Sequence, residues 1–247
     1  MGFSKIELAV LNNVQWYEAV FAAHWLPFET NPLVWLSHQT PPPFHSNLVV
    51  LSKDATQSQV EVFIRQIAST PRPGGWSMKD SYGCLDLVPL GFSQLFEANW
   101  MWMDASASGA LDTTSNVVWS RVSNAAGLLE WEAAWAGDAE NLPAPGMRRQ
   151  FPEQLLLDRR YAFFAGRSRG EVVGGGILNQ SPGVVGVSNV FAQPRVAPGV
   201  WPALVRCAAK EFPGVPLVGY ERGADLEAAQ QVGFVPIGAL RVWCRER

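Results

Sequence analysis

The feature that most constrains the fold of this chain is a series of three closely spaced β-type segments in its second half. They are rich in β-branched and aromatic residues and cover residues 161–165, 171–178 and 184–192. The stretches between them, residues 167–170 and 181–183, carry glycine and proline residues of the kind that form tight turns. The spacing therefore predicts an antiparallel meander of three strands.

Around the meander, apolar residues recur at helical spacing. Leu204, Val205 and Ala208, for example, fall on one face of a predicted helix. Strands and helices then alternate, which predicts an α/β arrangement for the end of the chain. The elements predicted outside the meander are a strand over 117–122, helices over 127–135, 152–158, 202–212 and 224–232, a strand over 215–220, and a closing strand or hairpin over 234–244.

The first half of the chain repeats part of this order. Asn47 and Phe92 lie as far apart as Asn189 and Phe234, each within a Ser-Asn or Gly-Phe pair. The matched order of elements indicates a degenerate duplication. The predicted elements are helices over 13–24 and 57–68, strands over 33–38, 48–52, 76–78 and 95–103, and a short helix over 85–90.

A stretch of small and polar residues divides the chain. Residues 104–115 contain no large apolar residue other than Leu111, and composition of this kind is typical of a linker. The predicted domains are therefore residues 1–104 and 116–247, joined by the linker 105–115. A second break at residues 141–146, rich in proline and glycine, is predicted to be a loop.

Composition excludes several classes of protein. The 247 residues are 48% hydrophobic and 17% charged, which rules out disorder over most of the length. No apolar run reaches the roughly 18 residues of a membrane span, and the first ten residues lack the apolar core of a signal peptide, so we expect a cytoplasmic protein without a membrane partner. The 19 basic and 22 acidic residues give a net charge of −3, which provides no electrostatic basis for binding nucleic acid.

Three other groups of residues invite functional hypotheses. The triplet 174–176 is all glycine but lacks the spacing of a dinucleotide-binding loop, so we expect backbone clearance or a bulge. His24, His38 and His45 have no carboxylate or cysteine at ligand spacing, which favours structural or surface roles and no metal site. Three scattered cysteines are too few for a disulfide framework or a zinc site.

The predicted order of elements resembles the Gcn5-related N-acetyltransferase fold. The resemblance covers residues 116–247 as a whole domain and residues 13–103 as an eroded copy. It implies an α/β (α+β) protein with two acyl-CoA N-acyltransferase-like domains, each with a mixed central sheet flanked by helices. The segments that carry the resemblance are residues 184–192, 193–201, 203–205, 217–220, 225–234 and 238–243.

The resemblance implies acetyl-CoA as co-substrate. The family holds its pyrophosphate on backbone N–H groups at the start of a helix, in a loop with the pattern Gln or Arg, two residues, Gly, one residue, Gly or Ala. Of the positions that fall on this pattern, Gly199 matches, whereas Val196 and Trp201 do not. The cofactor-binding residues that the resemblance implies are Val190, Phe191 and Ala192 for the acyl carbonyl and Arg195, Gly199, Val200 and Trp201 for the phosphates.

The resemblance also indicates where the chemistry takes place. Many members have a catalytic tyrosine four residues before the glycine of the Gly-Phe pair, and here that position is Ala229. The alternatives nearby are Tyr220, Glu221 and Asp225, of which a carboxylate could deprotonate an amine, although helix capping explains the carboxylates as well. The helices that face the substrate in the family contain Trp131, Glu130 and Trp135, and core packing explains these tryptophans equally well.

Three functions follow from these observations. The first is an acyl-CoA-dependent N-acetyltransferase acting on a small-molecule or peptide amine by direct attack, with a homodimer compatible with this hypothesis. The alternative is a catalytically inactive binding module that has lost the phosphate loop. An aminoacyl transferase of the peptidoglycan-bridge type is a third, which the net charge disfavours. The first half of the chain is expected not to bind CoA, because residues 51–57 contain no glycine.

Overall fold

The structure of the protein is a computed structural model that describes residues 2–71, 74–105, 116–137 and 149–246. Residues 106–115 of the predicted linker and the predicted loop 141–146 lie outside these ranges. No helix within the described ranges is long and apolar enough to cross a bilayer. In chain order the elements are α1 (Lys5–Ala23), β1 (Glu29–Thr30), β2 (Val34–Leu36), β3 (Leu48–Val50), α2 (Gln57–Ala68), β4 (Trp76–Asp80), β5 (Ser93–Met103), β6 (Val118–Arg121), α3 (Ala125–Ala136), β7 (Tyr161–Ser168), β8 (Glu171–Ser181), β9 (Val184–Ala192), α4 (Ala197–Glu211), β10 (Leu217–Glu221), α5 (Gly223–Gln231) and β11 (Val235–Arg245), with short 3₁₀ helices at Val88–Leu90 and Glu153–Leu157.

The chain divides into two compact units, and its last strand belongs to the unit formed by the first hundred residues. Unit 1 comprises Met1–Trp100 and Pro236–Arg247, and unit 2 comprises Met101–Val235. Strand β11 pairs antiparallel with β4, from Arg241 opposite Asp80 to Arg245 opposite Trp76, and so belongs to unit 1. The sequence boundaries instead grouped this strand with residues 116–234, because pairing with a distant segment leaves no local pattern.

Unit 1 contains a mixed sheet in the order β1-β2-β3-β4-β11. Strands β3 and β4 are parallel and joined by α2, whereas the other neighbours are antiparallel. Because successive residues of a strand point to opposite faces, β3 serves two helices. Leu48 and Val50 pack in the core with α2, and Val49 packs in the core with α1.

Unit 2 contains a mixed sheet in the order β10-β9-β8-β7-β6. The predicted antiparallel meander is confirmed as β7, β8 and β9. Strand β10 then runs parallel to β9 after the crossover helix α4, whose Leu204 and Val205 pack with Ala162, Phe164 and Leu178 of the sheet. The helix α3 covers the opposite face, and unit 2 is therefore a sheet between helices.

The side of unit 2 that faces α3 is built around Trp131. Its side chain is 0% exposed, its Nε1–H donates to the Phe164 carbonyl oxygen at 2.9 Å, and three phenylalanine rings meet it edge-on. Next to it, the buried Glu132 carboxylate accepts from the guanidinium of Arg149 and from the backbone N–H of Gln150. These bonds stabilise a tightly packed aromatic layer.

The glycine triplet of β8 provides clearance for both helices, which confirms the expectation from the sequence. A Cβ at Gly175 would lie 2.5 Å from Trp131 Nε1 and 2.8 Å from the Phe164 oxygen, and a Cβ at Gly176 would lie 2.6 Å from Leu204 Cδ1. Since real Cβ atoms do not approach so closely, the strand or the helices would have to move.

We expect Gly175→Ala to lower the free energy of unfolding by about 1–3 kcal/mol, the usual cost of overpacking a core. Urea unfolding of the variant measures this. The matched control is Gly199→Ala, because a Cβ there meets nothing within 4 Å and alanine favours a helix more than glycine does. Equal stabilities of the two variants would contradict the clearance role.

Candidate active site

The central feature of unit 2 is the gap that opens between its two parallel strands. The ladder between β9 and β10 pairs Leu217 with Val185 and Val218 with Gly186. Beyond these pairs each strand continues, to Ala192 in β9 and to Glu221 in β10. The carboxyl ends of parallel strands meet at the same edge of a sheet, and crevices at such an edge are the usual ligand sites of α/β folds.

A bulge bends β9 where this gap begins. Its pairing with β8 shifts register between Gly175 and Ile177, and Asn189 adopts the left-handed conformation with φ of 51°. Past the bulge, Val190 and Ala192 pack against the core on the α4 face, whereas the ring of Phe191 lies edge-on to Trp131 at 5.1 Å. With these side chains engaged, the segment offers mainly its main chain to a ligand.

Glu221 ends β10 at this edge and is the most unusual carboxyl group of the unit. Its burial raises its pKa to about 8, and the negative charge of Asp225 adds to this effect while Arg222 opposes it. Asp225 itself is exposed in the first turn of α5. In the described chain no side chain caps α5, whose N-cap residue is Arg222, so capping does not account for either carboxylate.

The neighbouring Tyr220 is half-buried. Because adjacent residues of a strand project to opposite faces, Tyr220 and Glu221 face different sides of the sheet. Leu217, four residues before Glu221 on the same strand, packs in the core on the α4 side. Glu221 therefore faces the α4 side of the sheet, and Tyr220 faces the α3 side.

The start of α4 follows β9 and is folded tightly on itself. The N–H groups of Val196 and Ala197 both donate to the Gln193 oxygen, at 2.9 and 3.1 Å, and the N–H of Gly199 donates to the Val196 oxygen at 3.0 Å. Trp201 is 2% exposed and packs edge-on to Phe234 with ring centroids 5.5 Å apart. Its side chain therefore belongs to the core and offers no surface on which a ligand could stack.

Similar arrangements occur in several solved structures. No family model matches the sequence, and no curated protein matches it. A GCN5-related N-acetyltransferase from Kribbella flavida superposes with a TM-score of 0.69 at 12% identity, over 99% of this chain and 96% of that one. The chain has the fold of GCN5-related N-acetyltransferases.

Other solved structures extend over nearly the whole chain as well. A conserved protein of unknown function from Staphylococcus epidermidis has a TM-score of 0.65 at 11% identity and covers 92% of this chain and 97% of its own. A GCN5-related N-acetyltransferase-like protein from Streptococcus suis has a TM-score of 0.54 at 11% identity, over 96% and 100% of the two chains. At these identities the similarity defines the fold alone.

Within the N-acetyltransferase fold, the residues predicted to face the substrate have other contacts. Trp131 is enclosed in the core, and Trp135 stacks on it with ring centroids 6.4 Å apart. Glu130 pairs with Arg167 at 2.6 Å on the surface. These contacts favour the packing role that the sequence left open for the tryptophans, whereas the predicted residues of β9 and β10 lie at the carboxyl ends of those strands.

The sequence reasoning missed the role of Asn189. The repeat of the Ser-Asn pair does not by itself predict the left-handed backbone of Asn189. Asparagine is among the few residues other than glycine that adopt this conformation at low cost, so an asparagine within an otherwise β-branched strand was the available signal. Its consequence is the bulge at which the gap between β9 and β10 begins.

The corresponding helix of unit 1, α2, begins with a capping box. The Thr56 hydroxyl accepts from the Gln59 N–H, and the Gln59 side chain accepts from the Thr56 N–H. In the same unit, the ring of His45 is buried against Tyr17 and its pKa is lowered to about 4 by burial. Across the described ranges, no three His, Cys, Asp or Glu side chains are grouped to hold a metal ion.

Proposed function

We propose that the protein is an N-acetyltransferase that moves an acetyl group from acetyl-CoA, its co-substrate, to the nitrogen of a small-molecule or peptide amine. The observation that carries this proposal is Glu221, a carboxyl group with a pKa of about 8 at the carboxyl end of β10, in a fold shared with N-acetyltransferases. A general base is most effective when its pKa lies near the working pH.

The chemistry assigns one role to each group. The amine nitrogen attacks the thioester carbonyl carbon, forming the C–N bond. The ionised Glu221 carboxylate takes the proton that the nitrogen loses, and the C–S bond breaks to release the thiol form of CoA. Holding amine and thioester side by side supplies much of the rate, and main-chain N–H groups at residues 190–192 would stabilise the negative charge on the carbonyl oxygen.

The departing thiolate needs a proton. The position of the family's tyrosine, Ala229, is buried in the core, so a hydroxyl from α5 is not offered there. Tyr220, at the end of the same strand, faces the α3 side of the sheet and not the side of the base, so we propose that the thiolate takes its proton from solvent water. Asp225 acts on the pKa of Glu221 through its charge.

Unit 1 fits the role of a scaffold. It shares with unit 2 a parallel strand pair joined by a crossover helix, which supports an origin by duplication. The capping box engages the N–H groups of Thr56 and Gln59 at the start of its α2 helix, which leaves fewer donors there for a phosphate. We propose that acetyl transfer takes place in unit 2.

The alternative function is a binding module without catalysis, and the self-contained start of α4 favours it. Two measurements distinguish the enzyme from the binding module. Calorimetric titration with acetyl-CoA tests donor binding, and thiol release in the presence of a panel of primary amines and lysine peptides tests transfer. Micromolar binding with amine-dependent thiol release supports the enzyme, whereas absence of both at millimolar acetyl-CoA contradicts it.

The raised pKa of Glu221 predicts the pH dependence of kcat/KM. The base acts only when ionised, so the rate rises with pH and levels off above an apparent pKa of about 8, falling about tenfold per pH unit well below it. Asp225 raises this pKa, so Asp225→Asn moves the rise to lower pH. A pH-rate profile of both proteins measures this, and a profile centred near pH 4 would contradict the assignment of Glu221.

A further inference from the structure

The start of α4 has few groups left for an anion. Binding of a diphosphate at a helix N-terminus depends on backbone N–H groups that point outward without a partner. Among residues 194–199, Pro194 and Pro198 have no N–H at all. The N–H groups of Val196, Ala197 and Gly199 donate to carbonyl oxygens of the same turn.

Two N–H groups are left once Val200, the next position on the phosphate pattern, is included. Within the described chain, the N–H groups of Arg195 and Val200 find no protein acceptor among residues 194–200. Two donors that lie five residues apart differ from the run of successive N–H groups that surrounds a phosphate in anion-binding loops. The exposed Arg195 side chain is the nearest cation, and charge pairing at an exposed site is weak.

Other contacts keep the turn before α4 in the conformation in which its N–H groups are engaged. Gln193 accepts two N–H groups on its oxygen and donates its own N–H to the Val173 oxygen at 2.8 Å, which fixes the turn to β8. Two prolines restrict its φ angles, and Val200 and Trp201 anchor the first turn of the helix in the core. Freeing the donors would require breaking three backbone hydrogen bonds and moving these anchors.

We propose that the protein recognises its acyl donor by the thioester and the pantetheine arm, without binding the diphosphate at α4. This inference rests on the proposed function and specifies which part of the donor is recognised. Donors without a nucleotide, such as acetyl-pantetheine, are then bound as well as acetyl-CoA.

The test compares the affinities of three probes by calorimetry on the full chain: acetyl-CoA, acetyl-pantetheine, and the nucleotide half of CoA, adenosine 3′-phosphate 5′-diphosphate. We expect dissociation constants for the two thioesters within about threefold of each other. The nucleotide half at millimolar concentration should leave acetyl-CoA binding unchanged. The variant Arg195→Ala should shift the acetyl-CoA dissociation constant by less than threefold.

Two results would overturn the inference, and they are distinguishable. Binding of acetyl-CoA more than tenfold tighter than acetyl-pantetheine, with displacement by the nucleotide half, would reject this donor selectivity and leave the N-acetyltransferase proposal intact. Failure of both thioesters to bind at millimolar concentration would reject the proposed function together with the inference.

Discussion

Glu221→Gln is expected to lower kcat/KM for acetyl transfer by about 100-fold or more at pH 8, the usual contribution of a general base. Glutamine keeps the size of the side chain but has no proton-accepting carboxylate in this pH range. The rise of rate with pH should disappear from the variant's profile as well, because that rise reports ionisation of this group. Thiol release at saturating acetyl-CoA across pH 6–9 measures both effects.

The variant is not expected to unfold. Burial disfavours the charged form of Glu221, so a neutral amide at this position maintains or raises the free energy of unfolding. The matched control is Glu227→Gln, an exposed carboxylate on α5, which should retain the activity and pH profile of the parent. Equal activities of the two variants would remove Glu221 from the mechanism.

Trp131→Ala is expected to cost about 3–5 kcal/mol of folding free energy, as is typical when a buried tryptophan is truncated. The side chain is fully enclosed and donates to the Phe164 oxygen, so the variant loses packing against three rings and leaves a buried carbonyl without its partner. Chemical denaturation measures the loss. Trp25→Ala is the control, since Trp25 is 86% exposed, and it should change stability by less than about 0.5 kcal/mol.

A second substitution at the same position separates packing from substrate binding. Trp131→Phe retains a ring but removes the hydrogen-bond donor, so it should lower stability by about 1–3 kcal/mol. If Trp131 acts only in the core, KM for the amine stays unchanged in this variant at temperatures where it is folded. A rise in KM of tenfold or more would restore the substrate role considered from the sequence.

The periodic elements could be predicted because their signals are local. Helix α2 has the predicted bounds 57–68, and its stripe of Val60, Ile64 and Ile67 is buried. The predicted helix over 13–24 instead begins at Lys5, because Ser4 and Glu7 form a capping box ahead of the apolar stripe. Similarly, α4 begins at Ala197 rather than at residue 202, so Pro202 lies inside the helix, while Pro198 occupies the first turn, where a proline is compatible with a helix.

The features of the site that depend on contacts between distant parts of the chain could not be predicted from the sequence. Glu221 was a candidate, but its raised pKa results from burial that only the folded unit creates. The engaged N–H groups of α4 depend on how Gln193 turns toward them, which no residue pattern specifies. The burial of Trp201 likewise depends on where Phe234 lies. The sequence therefore predicts the position of the loop before α4, but not that its N–H groups are engaged or that Trp201 is buried.

The membership of β11 in unit 1 imposes an order on folding during synthesis. Residues 101–235 form one continuous stretch, so unit 2 has all its strands once that stretch has left the ribosome. The β4 edge of unit 1 receives its antiparallel partner only after residues 241–245 are made, and closing so long a loop is slow. In contrast to the usual N-terminal-first sequence, the part of the chain that is made first completes its sheet last, and its exposed β4 edge is the surface that chaperones would have to protect in the meantime.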